Sequence, residues 1–268
     1  MTTATRTADA SPEVATAIGR SAVYGFLAVG LAFPTKDSVS EIEESLAPVL
    51  AGLETGDDEL DRLLRDALEA RRLPLDELRI HHGNLFTHIE PMDCPPYESA
   101  FSGTDVFRQT SVMADVAGFY RAHGLQVGGR ERERPDHIGT ELEFMAFMTE
   151  KEAYALEHLD ADAVEECRRT QDRFLSEHLG CWAPGFARRV AVAAHDGPYV
   201  AIARALEAWL LADLSAAGVT PVEDLEEPQP QPPPEDDSCG ASEMCGVEVT
   251  ATPGESPEGT WVELGETR

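Results

Sequence analysis

Apolar residues in this chain recur at intervals of three and four, and β-branched residues almost never alternate with polar ones, so the chain is restricted to helices. Val14, Ile18, Val23, Phe26, Leu27 and Leu31 share one face of a helix that Ser11 can cap and Pro12 can open. Pro34-Thr35 ends it. The same spacing predicts helices from Ser38 or Ser40 through Leu53, from Glu59 to Arg71, from Pro74 to Phe86, and from Thr104 to His123, where Gly124 stops the turn. Asp136 is placed to cap a long helix reaching Leu159, and further helices are predicted over 161–179, 184–194 and 198–216. The expected class is all-α: a single-domain bundle of about eight to ten helices over residues 11–218, behind a flexible N-terminus at 1–10.

From residue 219 to 268 the composition changes. Pro221 to Asp237 is dense in proline and acid, without the apolar content that offsets chain-ordering entropy, so this tail is expected to be disordered. The domain before it is large enough to bury a core of its own.

The formal charge is -29, which excludes nucleic acid as a partner, because phosphate binding needs a basic face. Lys36 and Lys151 are the only lysines among 21 basic residues. An acidic, lysine-poor surface is halophile-like, since carboxylates keep a protein hydrated in a salt-rich cytoplasm; a GC-rich genome with an acidic tail explains the same composition. The 5 cysteines are odd in number and irregularly spaced, which fits a reducing cytosol and no disulfide framework. No h-region follows the N-terminus, and the apolar run Val23 to Phe33 is too short to span a bilayer. The expected location is cytoplasmic, with no stable membrane insertion.

Two segments stand out from the helical pattern. Pro95-Pro96-Tyr97-Glu98-Ser99-Ala100-Phe101 is held extended by its prolines, and Tyr97 and Phe101 either flank a groove or plug the core beneath a loop. Pro135-Asp136-His137-Ile138 forms a turn in front of Glu141-Leu142-Glu143-Phe144-Met145. His137 at a helix start meets a dipole that opposes a charged imidazole. His137 and Glu141 share a helix face, but two ligands without a third do not make a metal site. His81, His82, His88 and Cys94 fit no zinc spacing, and Cys239 and Cys245 form an isolated C-x5-C pair. No G-x-S-x-G, Walker loop, G-x-G-x-x-G or H-E-x-x-H is present, so neither a catalytic residue nor a cofactor is expected. The alternative is a small metal-binding or redox protein using His137 and Glu141, or Cys239 and Cys245.

Pro96-Tyr97-Glu98-Ser99 with Phe101, then Pro135-Asp136-His137-Ile138 with Glu141 to Met145, resemble the paired motifs of the TorD/DmsD/NarJ family of chaperones for molybdenum oxidoreductases. Leu85-Phe86 and Tyr24-Gly25-Phe26-Leu27-Ala28 fit the same pattern, and the resemblance covers roughly residues 12 to 216. Arg134 departs from it, since an acidic residue often precedes this turn. The resemblance implies binding without turnover: a chaperone that holds the twin-arginine leader, or the apo-form, of a molybdopterin oxidoreductase catalytic subunit until its cofactor is inserted. It implies a monomer or a helix-swapped dimer. The residues expected to bind the client are Glu98, Asp136, Glu141 and Glu143 as carboxylates for guanidinium groups, with Tyr97, Ser99, Phe101 and His137 shaping the pocket.

Overall fold

The computed structural model describes residues 11–86, 94–103, 105–127 and 134–222, with Leu225, Pro228 and the backbone of 261–263. Ser11 accepts a hydrogen bond from the Val14 N–H and opens α1 (Pro12–Leu31), as its sequence predicts. Then come α2 (Lys36–Glu41), a π turn (Ile42–Leu46), α3 (Ala47–Ala51), α4 (Asp58–Ala70) and α5 (Leu75–Phe86). A 3-10 turn (Glu98–Phe101) precedes α6 (Val106–Ala122) and the short strand β1 (Leu125–Val127). The remainder is α7 (Ile138–His158), α8 (Ala161–Phe174), a second π turn (Leu175–Leu179), α9 (Gly180–Ala193), α10 (Pro198–Ala216) and the strand β2 (Trp261–Glu263).

The all-α expectation holds: ten helical segments, or eight where π turns join two into one rod, form a single body among the described residues. α1 lies along α7, and α10 packs between α9 and α4. Tyr24, Phe26 and Leu27 of α1 meet Leu142, Phe144 and Met145 of α7 and Phe174 of α8 in one core, each with at most 1% exposure. Fully burying a side chain of this size contributes roughly 1.5–3 kcal/mol. By length and composition α1 as a whole could cross a membrane, which the shorter run Val23 to Phe33 does not suggest, but 67% of its 18-residue apolar stretch is buried inside the fold. That burial is what a core helix shows.

Three boundaries differ from the spacing. The second helix starts at Lys36, where Thr35 and Ser38 make a reciprocal capping box. The expected break before residue 184 is absent, because the π turn carries α8 directly into α9 and Pro184 sits inside the helix. Gly180 is needed at that join, since a Cβ there would run into the Leu175 carbonyl and the Leu214 side chain. The third is the cap of α7, described below.

Most of the tail expected to be disordered, with Cys239 and Cys245, lies outside the described residues, as do residues 1–10. Leu225 packs on Gly185 of α9, so the domain extends past residue 218. Trp261–Glu263 pairs antiparallel with Leu125–Val127, a piece of regular backbone that period-two reasoning does not find in so short a stretch.

Candidate functional site

The two unusual segments meet. Tyr97 and His137 form an isolated antiparallel bridge: the Glu98 N–H donates to the Asp136 carbonyl at 2.9 Å, and the Ile138 N–H donates to the Pro96 carbonyl at 2.9 Å. The prolines keep each strand of this clasp short, so one bridge satisfies backbone that two loops would otherwise leave unpaired. Tyr120 of α6 donates its hydroxyl to the Pro135 carbonyl at 2.8 Å, and the His137 N–H donates to the Arg134 carbonyl at 3.2 Å.

Where the spacing puts the α7 cap on Asp136, the structure puts it on His137. Its Nδ1 accepts from the Gly139 N–H at 3.1 Å. A nitrogen that accepts carries no proton, so the cap is a neutral imidazole, as the positive helix end favours. Asp136 faces the other way, wholly buried. Its carboxylate accepts from Arg134 Nε at 3.0 Å, Arg134 Nη2 at 2.8 Å and the Ser99 N–H at 3.1 Å. Arg134 Nη2 also donates to Ser99 Oγ at 2.6 Å, and the guanidinium lies 4.4 Å from the Tyr97 ring centre.

Behind the clasp sit two more buried carboxyls. Both oxygens of Glu98 lie 3.1–3.2 Å from Nδ1 of His178, which is packed between Phe119 and Phe174. Trp182 Nε1–H donates to Glu141 at 3.1 Å, while the other oxygen of Glu141 is buried without a hydrogen-bond partner. Burial, then the nearby charge of Glu98, holds the Glu141 carboxyl well above the usual carboxylate range. Burial also raises Glu98, against the opposing pull of His178. Phe101 stacks on Trp182 with ring centres 5.7 Å apart and plugs the core.

Of the expected client-binding residues, Tyr97, Glu98, Ser99, Asp136, His137 and Glu141 come together here. Tyr97 and His137 are half-buried at the rim, whereas Glu98, Ser99, Phe101, Asp136 and Glu141 are buried. Glu143 is half-buried, and its charge is felt by the Tyr120 phenol. His137 and Glu141 do not point at a common centre: the imidazole Nδ1 caps the helix and the carboxyl turns to Trp182. His82 is likewise packed among Phe33, Phe86 and Tyr199, and burial lowers its pKa to about 4. Arg134, His178 and Trp182 are the residues that sequence reasoning missed. Arg134 hides in the alternating run Arg130-Glu131-Arg132-Glu133-Arg134, which reads as a solvated linker, and His178 and Trp182 lie some forty positions beyond the nearer motif in sequence.

An all-helical body carrying these two motifs in this order is what the resemblance to the TorD/DmsD/NarJ class implies, and comparison with known proteins agrees with that class. Residues 50–188 match the family model described as nitrate reductase delta subunit, and the chain belongs to that family. It is 28% identical over 172 residues to the perchlorate reductase assembly chaperone protein of Dechloromonas aromatica (strain RCB), covering 62% of this chain and 75% of the relative. It is 35% identical over 107 residues to the selenate reductase assembly chaperone protein of Thauera selenatis, covering 40% of this chain and 53% of the relative. A match of 28% identity over 139 residues links it to the chaperone protein TorD of Vibrio cholerae, covering 51% of this chain and 60% of that one.

Proposed function

We propose that this protein is a non-enzymatic, cytoplasmic assembly chaperone for a molybdopterin-containing oxidoreductase. It binds the client's twin-arginine leader, its apo-form, or both, and delays export until the cofactor is in place. The observation that carries this reading is the clasp: a buried carboxylate, a hydroxyl and an aromatic face converge within hydrogen-bonding or stacking reach of one guanidinium. That is the set of groups a leader arginine requires. Relatives named as reductase assembly chaperones point the same way. The site acts through Tyr97, His137 and the groups around Asp136 at its rim, while Glu98 and Glu141 position the turn from below. The metal reading has less support, because His137 and Glu141 are each turned to another partner.

Calorimetric titration with a twin-arginine leader peptide, its Lys-Lys variant and the apo-enzyme body tests this. The leader is expected to bind and the Lys-Lys variant to bind at least about tenfold more weakly, since lysine lacks the planar fork. Tyr97→Ala and His137→Ala are expected to weaken binding while keeping a cooperative thermal transition. Binding of the apo-enzyme body with neither peptide bound would remove the leader from the reading and leave body recognition.

A further inference from the structure

The guanidinium that fills the clasp belongs to this chain. Arg134 makes a two-point contact with Asp136, donates to Ser99 Oγ and covers the Tyr97 ring. Its side chain is 32% exposed, whereas the Asp136 carboxylate is 0% exposed, so the arginine sits as a plug at the mouth of a buried receptor. The backbone around the receptor is tied independently of the plug. The bridge bonds between Glu98 and Asp136 and between Ile138 and Pro96, the Tyr120 bond to Pro135, and the Ser99 N–H bond to Asp136 involve no atom of the Arg134 side chain.

We infer that Arg134 is an internal stand-in for an arginine of the binding partner, and that an incoming guanidinium takes its place on Asp136, Ser99 and Tyr97. This rests on the proposed leader binding for the identity of the partner, but the receptor's chemistry, one guanidinium per site, stands on the contacts themselves. An arginine two residues from its acceptor competes at high effective concentration. A site occupied by its own arginine most of the time shows a correspondingly weaker apparent affinity for an external one. The contact therefore sets a threshold: an isolated arginine side chain is refused, and a partner that adds apolar burial beside the clasp can displace the plug.

The experiment compares wild type, Arg134→Ala and Arg134→Lys in the full chain, with two readouts. In calorimetry, both variants are expected to bind the twin-arginine leader peptide about tenfold more tightly than wild type, with no gain for the Lys-Lys peptide. In thermal unfolding, N-acetylarginine amide is expected to raise the midpoint of Arg134→Ala but not of wild type, and N-acetyllysine amide to raise neither. The lysine variant keeps a positive charge beside Asp136 and covers the case in which the alanine variant does not fold. If the variants bind the leader no better than wild type and N-acetylarginine amide restores nothing, Arg134 is only a brace for Asp136 and the inference is wrong. If no variant binds the leader but N-acetylarginine amide still stabilises Arg134→Ala, the leader reading fails and the guanidinium receptor stands.

Discussion

Two of the buried polar clusters among the described residues are built on opposite plans. The first bolts four helices together: Arg20 of α1 makes a two-point contact with Asp213 of α10 at 2.9 and 3.2 Å and donates to Gln171 of α8 at 2.7 Å. Tyr24 donates its hydroxyl to Asp213, and Arg168 of α8 pairs with Glu152 of α7 at 2.7 Å. Two arginines face two carboxylates, and none of these side chains has a buried atom without a hydrogen-bond partner. The second, at the clasp, gathers Asp136, Glu98 and Glu141 against Arg134 and His178, places Nε2 of His178 3.6 Å from a carboxylate oxygen of Asp115, and leaves one oxygen of Glu141 without a hydrogen-bond partner. A satisfied network specifies a fold, whereas an under-satisfied one beside an accessible rim is where function departs from best packing.

The comparison breaks most visibly at Asp213. Asp213→Ala leaves a largely buried arginine and the Tyr24 hydroxyl without their acceptor, and a loss of about 3–5 kcal/mol is expected in urea unfolding. A loss no greater than a surface substitution causes would show that the first network is not a bolt.

A smaller effect separates the clusters by pH. Burial and the neighbouring Glu98 hold the Glu141 carboxyl up in the folded protein, with Asp136 adding to the same side and Trp182 opposing. The folded state therefore keeps a proton that the unfolded chain releases. The stability this confers is complete below the usual carboxylate range and is lost as pH rises through the raised folded value. Glu141→Gln copies the protonated form and keeps an oxygen for Trp182. It should lose less stability than wild type as pH rises above the usual carboxylate range. Parallel stability curves for the two proteins would mean that Glu141 is ionised in the fold.

The smallest effect concerns the tail. Truncation after Pro228 keeps Leu225 on Gly185 and gives up the short pairing of β2 with β1, for an expected loss on the order of 1 kcal/mol, while truncation after Val219 also removes Leu225 and costs more. Equal midpoints for the two truncations in thermal unfolding would deny Leu225 a place in the core.

Much of this was legible before any coordinates. Ser11 and Pro12 mark the start of α1, Gly124 the end of α6, and the 3.6 period of Leu142, Met145 and Met148 the buried face of α7, because helix signals are local. Both motifs of the site could be picked out by composition, since a proline-fixed approach and a histidine at a helix start stand out against regular spacing. What each residue does there could not be read. Asp136 looks like a cap by position, yet His137 takes that role, because the bridge to Tyr97 turns the Asp136 side chain inwards to Arg134 and Ser99.

The sequence by itself determined an all-helical domain, where most of its helices begin and end, and which two segments depart from the helical pattern, because periodicity and turn chemistry depend on near neighbours. Only the tertiary structure decided that those segments pair, that the carboxyls of Glu98, Asp136 and Glu141 are buried there, and that Arg134 pairs with Asp136 and Ser99. Those outcomes depend on contacts between residues up to eighty positions apart, such as Glu98 with His178, and on which side chains lose their water when the helices close.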